Sequence, residues 1–64
     1  MKKADNLTVV ILTKNEEKDI VEVVRNAAQV ADDVLIIDSG STDKTVELAK
    51  QENARVVYLS LIHI

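Results

Sequence analysis

Sixty-four residues allow at most one small domain, and a chain of that size hides only about 60% of the surface its unfolded form exposes. Apolar residues at 47% and charged residues at 30% are the balance of a folded globular chain, and the lack of cysteine removes disulfides and thiolate metal sites. A net charge of −3 with one Tyr and no Phe or Trp excludes a basic or base-stacking surface, so no nucleic-acid partner is expected.

Met1-Lys2-Lys3 is basic, and Leu7-Thr8-Val9-Val10-Ile11-Leu12 follows as a near-continuous β-branched run. That run is shorter than a signal-peptide core and far short of a membrane span. No transmembrane segment is therefore expected; the default location is the cytoplasm, with peripheral attachment to the inner face of its membrane left open. The run over 7–12 has the pattern of a strand covered on both faces. Asn15 is suited to cap a helix whose first turn carries Glu16 and Glu17. Ile20, Val23, Val24, Ala27 and Ala28 then form one apolar helical stripe, with Lys18, Glu22, Arg25, Asn26 and Gln29 mostly off it. Val34-Leu35-Ile36-Ile37 reads as a second buried strand, ending at Asp38. The turn Ser39-Gly40-Ser41 leads into a second helix over about 42–52, capped by Ser41 or Thr42, with Val46, Leu48 and Ala49 inward. Arg55-Val56-Val57-Tyr58-Leu59 reads as a third strand.

The order β-α-β-α-β with short connections predicts an α/β fold: a three-stranded parallel sheet with two right-handed crossover helices. The expected strand order is third, second, first, as in one mononucleotide-binding half of a doubly wound fold. In such sheets ligands bind beyond the carboxyl ends of the strands. Thr13, Lys14, Asn15 and Glu16 fall at that end of the first strand, and Asp38, Ser39, Gly40, Ser41, Thr42 and Asp43 at that end of the second. Asp32 and Asp33 fall on the opposite edge and are set aside as a metal site. Two loops that each open a helix are expected to aim backbone N–H groups at one crevice, suiting a phosphorylated ligand. Asp38 is expected to offer an acceptor to a ribose hydroxyl or a base N–H. Gly40, the only glycine, marks a positive φ or a close backbone approach. His63 has no partner that suggests a role.

Val9-Val10-Ile11-Leu12-Thr13-Lys14-Asn15-Glu16-Glu17, followed by Val34-Leu35-Ile36-Ile37-Asp38-Ser39-Gly40-Ser41-Thr42-Asp43-Lys44-Thr45, resembles the opening of the family 2 glycosyltransferases. The resemblance runs over residues 7–58. It implies the nucleotide-binding part of a GT-A fold, a nucleotide-sugar donor (UDP-sugar foremost) and a glycan or glycolipid acceptor. By it, Thr13 borders the nucleobase, Asp38 accepts a hydrogen bond from the base, Glu16 lines the same pocket and Gly40 shapes the loop. The implied nucleotide-binding set is Thr13, Lys14, Asn15, Glu16, Asp38, Ser39 and Gly40. Lys14 stands where the family often has Tyr, which puts an ammonium contact in place of ring packing. The string Thr-Lys-Asn-Glu-Glu is similar to the branch that adds sugars to lipopolysaccharide cores.

The family's Asp-x-Asp, which holds a divalent ion (Mg or Mn), and its later carboxylate base have no counterpart in these residues. The chain is thus expected to hold donor-binding residues and no catalytic or metal-binding ones. Residues 7–59 are read as the N-terminal part of a family 2 domain. Residues 60–64, within the apolar Leu59-Ser60-Leu61-Ile62-His63-Ile64, are read as an atypical tail, partly out of frame after a truncation. Two rival folds fit less well. A dinucleotide-binding domain needs G-x-G-x-x-G after the first strand, where residues 13–18 hold no glycine. A phospho-receiver needs an aspartate ending the third strand, which here ends Tyr58-Leu59-Ser60. The remaining alternative is a non-catalytic nucleotide-binding or structural α/β fragment.

Overall fold

The structure, a computed structural model, describes residues 4–59. Its elements are β1 (Ala4–Thr13), α1 (Ile20–Val30), β2 (Ala31–Asp38), α2 (Thr45–Gln51) and β3 (Arg55–Tyr58). The strands form one parallel sheet in the order β1-β2-β3, as the alternation of elements requires. The tail at 60–64 lies outside the described residues.

The strands run longer at β1 and β2 than the apolar runs alone indicate. β2 starts directly after α1, because the apolar Ala31 packs inward while its amide still bonds the Ala27 carbonyl. Asn6, at φ 61°, lies where the β1–β2 register shifts between Ala4 and Thr8. Successive side chains then divide between two faces. Val34, Ile36 and Asp38 point to one face and are buried, Val34 and Ile36 in one cluster with Ile20 and Val24 of α1 and Ala49 of α2. Both helices therefore cover the same face, which follows from two crossovers of one hand stepping in one direction. The opposite face carries Val10, Leu12, Leu35, Ile37 and Val57 in register across the sheet. Leu12 there is 74% exposed, so the expectation of strands covered on both faces does not hold among the described residues.

Both helices start later than the sequence suggests. Asn15 adopts φ 55°, the left-handed region, so it cannot cap α1; that helix opens at Ile20, with Glu22 in place of Glu16 and Glu17 as its first-turn acid. The stripe is also rotated: Val21 packs on the core and Val23 is exposed. Neither Ser41 nor Thr42 caps α2. The Asp43 carboxylate takes the Thr45 amide at 2.9 Å instead, and Thr45 rather than Val46 points inward with Ala49. At its far end α2 closes with Asn53 at φ 68°: Asn53 donates to the Lys50 carbonyl and Ala54 to the Ala49 carbonyl. That pair of bonds is a Schellman turn, with Asn in the place glycine usually fills. It turns the chain into β3, which brings Thr13, Asp38 and Tyr58 level at the carboxyl edge of the sheet.

Candidate functional site

The first loop joins β1 to α1 and the second joins β2 to α2, so both leave the carboxyl edge of adjacent strands. Asp38 ends β2 on the helix-covered face and is 1% exposed. A carboxylate in that position keeps its charge only if its lone pairs are met. Oδ1 accepts the Thr13 hydroxyl at 2.8 Å and the Ser41 hydroxyl at 2.5 Å. Oδ2 accepts the amides of Gly40 at 3.0 Å and Ser41 at 2.8 Å. Burial pushes this carboxyl up, but the Ser41, Thr13 and Gly40 donors together outweigh it and hold the group at about 2.

Those four bonds exhaust the usual acceptor sites of a carboxylate. Asp38 therefore does not present the free acceptor expected of it; it ties the second loop to the end of β1. Thr13 is likewise buried, and its carbonyl accepts both the Ser39 amide at 3.0 Å and the Ser39 hydroxyl at 3.2 Å. Gly40 has φ 112°, and a Cβ built there meets nothing within 4 Å. Backbone conformation is thus what requires glycine in this turn.

The amides expected to face a ligand are turned between the loops. Asn15 donates to Ser41 Oγ at 2.8 Å, Glu16 to Thr45 Oγ1 at 2.7 Å and Glu17 to Asp43 Oδ2 at 3.3 Å. In return, Thr42 donates its amide to Asn15 Oδ1 at 2.8 Å. The left-handed turn at Asn15 aims its own amide and side-chain oxygen at the second loop together. The two loops are thereby one hydrogen-bonded unit. Lys14, Asn15, Glu16 and Gly40 remain exposed on it, and Ser39 is half-buried. The residues that the sequence reading underrated are Ser41, Asp43 and Thr45, whose partners in the first loop lie 26 to 29 positions away in the chain.

A recess of about 390 Å³ opens beside this unit, lined by Asn15, Glu16, Glu17, Lys18, Asp19 and Asp43. It excludes Thr13, Asp38 and Gly40, so it flanks the predicted crevice. A divalent ion is poorly served here. No group of three or more ligating side chains comes together among the described residues, and both Asp38 and Asp43 already spend their oxygens on loop donors. Asp33, on the opposite edge, pairs with Arg55 and accepts the Thr8 hydroxyl at 3.0 Å. Among the described residues no helix is long and apolar enough to cross a membrane.

Comparison with known proteins agrees with this architecture. Over 51 residues the chain is 41% identical to an uncharacterized glycosyltransferase of Rickettsia bellii, covering 80% of this chain and 17% of that protein. A second uncharacterized glycosyltransferase, from Rickettsia felis, is 36% identical over 53 residues, covering 83% of this chain and 19% of the relative. The crystal structure of M. tuberculosis glucosyl-3-phosphoglycerate synthase superposes with a TM-score of 0.68 at 33% identity, over 88% of this chain and 22% of that one. The chain thus spans about a fifth of the length of the proteins it matches. The sequence model described as Glycosyl transferase family 2 matches residues 8–62. With that match and the parallel α/β sheet of the GT-A fold, the chain belongs to glycosyltransferase family 2.

Proposed function

We propose that this chain supplies the donor-nucleotide-binding portion of an enzyme that moves a sugar from a nucleotide-sugar to an acceptor hydroxyl. The observation that supports it most is the joining of the two loops at the carboxyl edge of β1 and β2, where open α/β sheets take their ligands. Lys14, Asn15, Glu16, Ser39 and Gly40 form the ligand-facing surface. Thr13 and Asp38 act from beneath, fixing the turn on which Ser39 and Gly40 stand. Lys14 brings an ammonium to the crevice, suited to an anionic diphosphate.

In the same reading the donor is a UDP-sugar and the acceptor a glycan or glycolipid of lipopolysaccharide or another cell-surface polymer, met at the inner face of the cytoplasmic membrane. Residues 7–59 form the opening part of the catalytic domain. In that reading the divalent ion and the base that deprotonates the acceptor are held by parts of a complete family member outside the fifth of its length that this chain spans. Calorimetric titration of the chain with uridine, adenosine and guanosine diphosphates tests the proposal. Saturable binding that favours the uridine nucleotide is the expected result. Binding of none of the three, by a folded chain, removes the donor-binding role.

A further inference from the structure

We infer that Thr45, with Asp43 behind it, is a positioning residue that sets where Lys14, Asn15 and Glu16 stand in the crevice; the inference rests on the donor-binding reading above. Thr45 opens α2 and is fully buried. Valine has nearly the same shape, so packing alone gives no reason for a hydroxyl there. The reason lies across the fold. Thr45 Oγ1 accepts the Glu16 amide at 2.7 Å, an amide that precedes α1 and so finds no acceptor among that helix's carbonyls.

A hydroxyl has one proton, and its direction decides which groups it can accept from. Here the proton goes to Asp43 Oδ1. Asp43 Oδ1 also accepts the Thr45 amide at 2.9 Å, while Oδ2 accepts the Glu17 amide at 3.3 Å. An ionised carboxylate only accepts, so it fixes the Thr45 proton toward itself and leaves a lone pair aimed at Glu16. The Thr45 hydroxyl holds the Asp43 carboxyl below its usual range, in line with the bond between them. The Glu16 amide is thus tethered by α2, and the exposed residues on either side of that tether are placed with it.

Amide exchange and titration with uridine diphosphate, both read by NMR on the 64-residue chain, test the inference in Thr45→Val, Thr45→Ser and Asp43→Ala. Thr45→Val should speed exchange of the Glu16 amide about tenfold relative to core amides and weaken the nucleotide about tenfold, the scale of one lost hydrogen bond. Thr45→Ser keeps the hydroxyl and should restore both. Asp43→Ala leaves the hydroxyl unoriented and should give smaller changes in the same direction; it carries the test if Thr45→Val does not fold. Equal protection of Glu16 in every variant overturns the inference. So does a fast-exchanging Glu16 with unchanged nucleotide affinity, which makes the tether structural only. A wild-type chain that binds no uridine diphosphate, with the exchange contrast intact, sinks the donor-binding reading and supports the tether.

Discussion

Asp33 and Asp38 are the same residue type on the same strand, and the fold treats them oppositely. Asp38 points into the helix-covered face and meets only neutral donors, two hydroxyls and two amides. Asp33 stands at the other end of β2 and meets a cation, with Arg55 at 2.6 and 3.0 Å, where both side chains remain partly in water. Each carboxyl is held below its usual value, Asp33 chiefly by its hydrogen bond to Arg55 and Asp38 by donors that outweigh burial. A buried charge needs no counter-ion when every lone pair is met, whereas an exposed ion pair contributes little. The difference assigns organisation of the loops to Asp38 and a surface contact between strands to Asp33.

Replacing the two residues should give unequal results. Asp38→Ala leaves two hydroxyls and two amides without an acceptor and should cost about 3 kcal/mol in urea unfolding. Asp38→Asn preserves the shape and one acceptor, and should cost about half as much by the same measurement. Acid should separate the two aspartates as well. The folded-state value of Asp38 is depressed to about 2, so its contribution is present above the unfolded value and lost as pH falls through the folded one. Wild-type stability should therefore drop by about 2 kcal/mol between about pH 4 and pH 2, and Asp38→Ala should lose that part of the drop. Gly40→Ala should cost about 1–2 kcal/mol from backbone strain alone, since space for the methyl is free. Asp33→Ala should change the melting midpoint least, and what change there is should shrink with added salt. A larger loss from Asp33→Ala than from Asp38→Ala reverses the comparison.

The fold was legible because β-branched runs and a 3.6-residue stripe report local structure and its burial directly. The loops were not, because their logic is long-range. Asn15 has the composition of a helix cap, and only its contacts with Ser41 and Thr42 show why it turns left-handed instead. Nothing local in the sequence marks Thr45 as the partner of Glu16. Position in the strand put Asp38 and Asp33 at opposite ends of β2, where they stand. It could not show that Asp38 is saturated, since that depends on where Thr13 and Ser41 place their hydroxyls. The rotation of the α1 stripe toward Val21 is equally a tertiary outcome, set by how α1 lies on Val34 and Ile36.

The central claim is that the joined loops at the carboxyl edge, and not the amino edge around Asp33, carry the nucleotide. Chemical-shift mapping on the isotopically labelled chain, titrated with uridine diphosphate, addresses it most directly. The account predicts saturable shifts at residues 13–16 and 38–42, with Thr8, Asp33 and Arg55 unmoved. Shifts centred on Asp33 and Arg55, or none at residues 13–16 and 38–42 at millimolar nucleotide, contradict it.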